Sequence, residues 1–140
     1  MKANKLTPNF EVKDIRKTVA FYQSILGFTL VMAVPDTQDG IEQSFVDGKE
    51  YVYALVSKDN VEMMFQRTES FKRDVLFAKE LSMSASVSFY MEIEGIDTFY
   101  EQIKNKELHP TELKTTWYGM QEFYLTDNNG YILGFAEKSE

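Results

Sequence analysis

The chain has 140 residues, no cysteine, one histidine and one tryptophan, and its 22 acidic residues against 15 basic ones give a formal charge of −7. That length points to one domain burying roughly two thirds of its unfolded surface, and 44% hydrophobic with 14% aromatic residues excludes a disordered chain. The missing cysteines exclude a disulfide scaffold or thiolate-bound metal, the lone histidine excludes any site built on several imidazoles, and the acid excess argues against nucleic acid as a partner.

The opening MKANKLTPNFEV has no apolar core of signal-peptide length. No uncharged apolar run reaches the roughly 20 residues that span a bilayer, so a cytoplasmic protein without membrane contact is expected. Residues 5–12 read as a strand whose early Pro8 suits a start or an edge. A helix follows, with Asp14 as N-cap, an apolar stripe of Ile15, Val19, Tyr22 and Leu26, and Gly27 as its stop. Strand-like runs at 28–34, 51–56 and 61–66 are separated by turn residues, and 41–46 is open as a further strand. Residues 69–82 place Phe71, Val75, Ala78 and Leu81 or Leu76 at helical spacings and read as a helical connector.

The second half repeats this order. A strand at 87–93, a helix at 96–105 and strands at 111–116, 121–126 and 131–137 are expected, the last two joined by the turn Asp127-Asn128-Asn129-Gly130. Val12-Lys13-Asp14-Ile15 aligns with Ile93-Glu94-Gly95-Ile96, and Phe21-Tyr22 with Phe99-Tyr100. The chain therefore reads as β-α-β-β-β twice, in modules of about 5–67 and 86–138 within a single domain, 1–140.

FEVKDIRKTVAFYQSILGF resembles the opening of the glyoxalase/bleomycin-resistance/dioxygenase families, the vicinal oxygen chelate superfamily, and WYGMQEFYLTDNNGYILGFAEK resembles its usual ending. The resemblance implies an α+β fold in which two tandem β-α-β-β-β modules form a half-open, cup-shaped sheet, commonly as a homodimer. In the superfamily's metal-dependent members, ligands come from an early residue of each module's first strand and an acidic residue of each module's last strand. Carried over, these positions are Thr7 and Glu62 in the first module and Ser88 and Gly134 in the second. Two hydroxyls, one carboxylate and a glycine fall short of the three or four donors a catalytic cation takes from protein, so no metal or other cofactor is expected in the usual site. His109, just before Pro110, is expected in a loop as an exposed or capping imidazole. The opening L-T-P-N-F also resembles bleomycin-binding resistance proteins, which share the cup, lack the metal and sequester a cationic drug.

Those positions fix which strand parity faces the cup. One parity carries Thr7, Asn9, Glu11, Glu62, Met64, Gln66, Ser88, Tyr90, Glu92, Ile132, Gly134 and Ala136. The other, with Phe10, Val12, Val61, Met63, Phe65, Phe89, Met91, Ile93, Leu133 and Phe135, is apolar core. A face mixing carboxylate, amide, phenol and thioether suits a small organic ligand, cationic or aromatic. The candidate binding residues are Thr7, Asn9, Glu62, Met64, Gln66, Ser88, Tyr90, Trp117, Tyr118 and Gly134, with Glu62 as charged anchor and Gly134 leaving room. Trp117 and Tyr118 sit before Gly119 at a turn, where they form either a lid or a shield over a sheet edge or dimer contact. Three functions remain open at this stage. They are a metal-free protein sequestering an amphiphilic or cationic ligand, a glyoxalase-like or other metal-dependent lyase or dioxygenase using Glu62, and a structural dimer without ligand.

Overall fold

The computed structural model describes all 140 residues, and the chain divides into two compact units, Met1–Met83 and Ser84–Glu140. In the first, β1 (Asn9–Val12) leads through Asp14 into α1 (Ile15–Ser24). The Asp14 carboxylate accepts from Lys17 N at 2.9 Å, meeting an amide that the first turn leaves without a helical partner. Ile15, Thr18, Val19 and Tyr22 form the buried face. Gly27, at φ +75°, reverses the chain so that its own N–H and that of Phe28 return to the carbonyls of Gln23 and Tyr22, at 3.1 and 2.9 Å.

β2 (Thr29–Pro35), β3 (Tyr51–Lys58) and β4 (Val61–Arg67) complete a four-stranded mixed sheet of order β1-β4-β3-β2, with β1 parallel to β4. Tyr22 of α1 meets the sheet through Phe65, ring centroids 4.8 Å apart, and Phe10 packs edge-on against Phe65 at 5.8 Å. The first strand is shorter than the expected 5–12. Pro8 has no N–H, and its carbonyl accepts from Met64 N at 2.9 Å just before the ladder begins. The open strand at 41–46 does not form, and only an isolated bridge joins Ala33 to Glu42. Side chains hold that loop instead. The Arg16 guanidinium donates to the carbonyls of Val46 and Lys49 at 2.5 and 2.8 Å while lying over the rings of Phe45 and Tyr51, 5.0 and 5.2 Å from their centroids. Tyr51 in turn donates to Glu42 at 2.6 Å.

The connector is not one helix over 69–82. It is α2 (Thr68–Asp74) followed by a 3₁₀ turn, Leu76–Ala78, with Val75 outside the helical region at φ −107° and ψ 83°. Of the expected stripe Ala78 is buried and Phe71 half-buried, but Val75, Leu76 and Leu81 are exposed, so too little of it is covered to sustain a longer helix.

The second unit repeats the topology. β5 (Ser88–Glu92), α3 (Ile96–Ile103), β6 (Lys114–Thr115), β7 (Met120–Thr126) and β8 (Ile132–Lys138) build a sheet of order β5-β8-β7-β6, with β5 parallel to β8. Phe99 and Tyr100 of α3 close on Phe135 and Phe123, each pair 5.1 Å apart. Gly95 stands where the first module has Asp14, and without a side chain it cannot cap. The Glu137 carboxylate of β8 does so, accepting from Gly95 N and Ile96 N at 3.0 Å each. The expected strand at 111–116 shrinks to two residues at the sheet edge, after a turn in which Glu107 and His109 both adopt positive φ. Asp127 organises the β7–β8 turn, its Oδ1 accepting from Asn129 N and Tyr131 N at 2.8 and 3.0 Å.

The expected core parity is followed where strands are central. Phe10, Val12, Met63, Phe65, Leu133 and Phe135 are buried, whereas Val61, Phe89, Met91 and Ile93 are half-buried. No helix is long and apolar enough to cross a membrane.

Candidate ligand-binding site

In the first unit, register places Asn9, Met64 and Leu55 side by side across β1, β4 and β3, with Glu11, Gln66 and Tyr53 in the next row and Glu62 beside Ser57. Asn9 donates to Gln66 Oε1 at 2.9 Å, and Gln66 Nε2 donates to Ser70 at 2.8 Å and Asp74 at 2.7 Å. Gln66 is thus buried and committed to tying α2 to the sheet, while Asn9 Oδ1 is buried without a hydrogen-bond partner. Met64 and Thr7 are half-buried. Glu62, the expected free anchor, is ion-paired with Lys5 of the chain's own N-terminal segment. Burial and the Glu62 charge together push the Tyr53 phenol above its ordinary pKa.

In the second unit, Tyr90, Gly134 and Tyr124 form one row across β5, β8 and β7, and Glu92, Ala136 and Glu122 form the next. Gly134 does not leave room for a ligand. A Cβ there would lie 2.8 Å from Tyr124 Cε1 and 3.2 Å from Tyr90 Cδ1, so the two phenol rings already fill the space. Ser88 is exposed at the start of β5. Tyr90 donates to Glu122 Oε2 at 2.7 Å, and Tyr118 lies 2.8 Å from both carboxylate oxygens. Trp117 packs edge-on against Tyr118, centroids 5.3 Å apart. Glu122 is 5% exposed, the two tyrosines about half exposed and Trp117 95% exposed. Burial and the hydrogen bond to Glu122 raise the Tyr90 pKa, and the same hydrogen bond, then burial, raises that of Tyr118. Beside this cluster, His109, Thr111, Tyr124, Leu125, Thr126 and Ile132 line an open depression of about 240 Å³, with His109 exposed on its rim.

Of the expected residues, the structure brings Asn9, Met64 and Gln66 together in the first unit and Tyr90, Tyr118, Trp117 and Gly134 together in the second. Thr7, Glu62 and Ser88 make no such cluster. Glu122, Tyr124 and Tyr53 were missed. The signal for the first two was present, because counting back from the Asp127–Gly130 turn pairs Tyr124 with Gly134 and puts Glu122 on the same face. At the four positions where metal-dependent members carry ligands, the donors do not fit a divalent cation. The first unit offers a hydroxyl and a carboxylate already paired with lysine, and the second an exposed hydroxyl and a glycine capped by two rings. No three His, Cys, Asp or Glu side chains converge anywhere in the chain.

The bleomycin resistance protein of Geobacillus stearothermophilus is 29% identical over 133 residues, covering 94% of each chain. Among solved structures, the bleomycin resistance determinant encoded on transposon Tn5 matches with a TM-score of 0.63 at 18% identity, covering 99% of this chain and all of that one. An antibiotic binding protein from Streptomyces sp. CB03234 matches with a TM-score of 0.67 at 16% identity, over 99% of both chains. With the family model matching residues 9–135 and the strand order duplicated in both units, the chain belongs to the glyoxalase/bleomycin resistance protein/dioxygenase superfamily.

Proposed function

We propose that this chain is a metal-free binding protein that sequesters an amphiphilic, cationic small molecule, acting in the cytoplasm as a homodimer. One observation carries the reading. The four positions that hold a metal in catalytic members offer no adequate donor set, yet the first unit's strand face still presents carboxylate and amide groups and the second's a carboxylate and aromatic rings. Pockets for organic ligands combine apolar surface with a few oriented polar groups in this way. The full-length likeness to proteins named for bleomycin resistance supports the same reading, as does the fold shared with an antibiotic binding protein. The exposed Phe77, Leu76 and Leu81 of the connector are apolar surface of the kind a partner chain covers, which supports the dimer.

Thermal unfolding after chelation, with Ni, Zn, Mn or Fe(II) and separately with bleomycin and a panel of cationic aromatic compounds, tests this reading. A ligand that binds only the folded state stabilises it by RT ln(1 + [L]/Kd), so the midpoint rises with free ligand concentration. Stabilisation by bleomycin or another cationic aromatic compound, with metals silent, is expected. A midpoint raised by a metal at micromolar concentration and restored by Glu62→Gln would overturn it and favour a metal-dependent lyase or dioxygenase. Light scattering checks the dimer, which a monomer mass refutes.

A further inference from the structure

Resting on the binding reading above, we propose that Glu122, with Tyr90, Tyr118 and Trp117, forms an organic-ammonium site in the second unit, and that this carboxylate anchors the ligand's charge in place of Glu62. The Glu62 carboxylate already has its cation in Lys5. Glu122 is more deeply buried and has no cation within the 4.0 Å of an ion pair, Lys114 opposite it on the edge strand included. A buried carboxylate is stabilised in part by hydrogen bonds to its ionised form, and the two phenols supply them. Hydroxyl donors leave the net negative charge in place. Each phenol uses its only proton on the carboxylate, so what the pair turns outward is oxygen lone pairs and ring faces, both of which attract a cation.

The surroundings select the kind of cation. Tyr90 and Tyr118 are half exposed and Trp117 almost wholly so, a hydrated ring surface that an alkylated ammonium covers with little loss of its own hydration. The neighbouring depression, where Tyr124 continues the same strand face, accommodates an apolar or aromatic body attached to the ammonium. Neither feature helps an inorganic cation, which needs several oxygen donors at short range.

Trp117 is the only tryptophan and touches Tyr118, so its fluorescence reports occupancy. The experiment is a fluorescence titration with benzyltrimethylammonium and with its neutral counterpart neopentylbenzene, alongside bleomycin titrated by calorimetry. A saturable change with the cation and none with the neutral compound is expected. Glu122→Gln should weaken the cation by about tenfold or more, because it removes a desolvated charge while keeping the shape, and Glu101→Gln, far along α3, should change nothing. Trp117→Ala, read by calorimetry, should weaken it several-fold without touching the core, which keeps the test decisive if Glu122→Gln folds poorly. Equal response to charged and neutral probes, or no saturable response, overturns the site. Bleomycin binding that survives Glu122→Gln and Trp117→Ala but is lost with Glu62→Gln overturns it too, while leaving the binding function intact. Bleomycin failing to bind, with benzyltrimethylammonium still bound and dependent on Glu122, would retain the site and refute only bleomycin as a ligand.

Discussion

Gly134→Ala tests whether the tyrosine pair on the second sheet is packed as the structure has it. The new Cβ would lie 2.8 Å from Tyr124 Cε1 and 3.2 Å from both Tyr124 Cδ1 and Tyr90 Cδ1. Carbon atoms pack best about 3.5–4.0 Å apart, so the Tyr124 ring must retreat by close to an ångström. Overpacking of this size costs about 1–3 kcal/mol. Replacing glycine within a strand returns about 0.5–1 kcal/mol of backbone entropy, and Gly134 has no positive φ to add strain. From the middle of both ranges the expected net loss is about 1 kcal/mol, or about 3–4 °C in midpoint for a domain of this size. In a Tyr124→Ala background the nearest obstruction is gone, and the same Gly134→Ala change should stabilise by about 0.5 kcal/mol. Urea unfolding of the four proteins of this double-mutant cycle measures the coupling directly. A Gly134→Ala variant that stabilises the wild type, or that costs the same in both backgrounds, would refute the packing argument.

Glu137→Ala removes the cap of α3 and should cost about 1 kcal/mol, with faster hydrogen exchange at the Gly95 and Ile96 amides as its local signature. Arg16→Lys loses the forked donation to Val46 and Lys49 and the stacking over Phe45 and Tyr51, so limited proteolysis should cut within 36–50 sooner while α1 stays protected. The Tyr90 and Tyr118 pKa values are raised above 10.0, so their contribution to stability is full below pH 10 and is lost as pH climbs through the folded-state values. Glu122→Gln should therefore bring tyrosinate absorbance in at lower pH, and an unchanged alkaline titration would contradict the hydrogen bonds to Glu122. Glu42 is held below its ordinary 4.5 by Lys49 and Tyr51, so its contribution persists above that pH and disappears as pH falls through the folded value. Glu42→Gln should flatten acid destabilisation of the 36–50 loop, as read by hydrogen exchange.

The duplicated β-α-β-β-β order was legible because periodicity, caps and turns are local. Asp14, Gly27 and the Asp127–Gly130 turn act within a few residues of themselves, and each does in the structure what its residue type implies. Strand parity was legible for the same reason, since alternation is fixed by the backbone. The connector misled because Phe71, Val75 and Ala78 have helical spacing, but a stripe stabilises a helix only where it is covered, and Val75, Leu76 and Leu81 are exposed. The α3 helix starts at Ile96 as its spacing implies, but its cap, the Glu137 carboxylate, comes from some forty residues away and is not a local signal.

The candidate site divides along the same line. Its residue types and the face they share were set by sequence. Which carboxylate is free was decided by contacts across the chain, because Lys5 reaches Glu62 while Glu122 meets only phenols. Whether Gly134 is a vacancy was decided likewise, by the rings on the strands to either side of it. Charge pairing and the filling of space depend on neighbours far apart in sequence, and only the folded register of the strands brings those neighbours together.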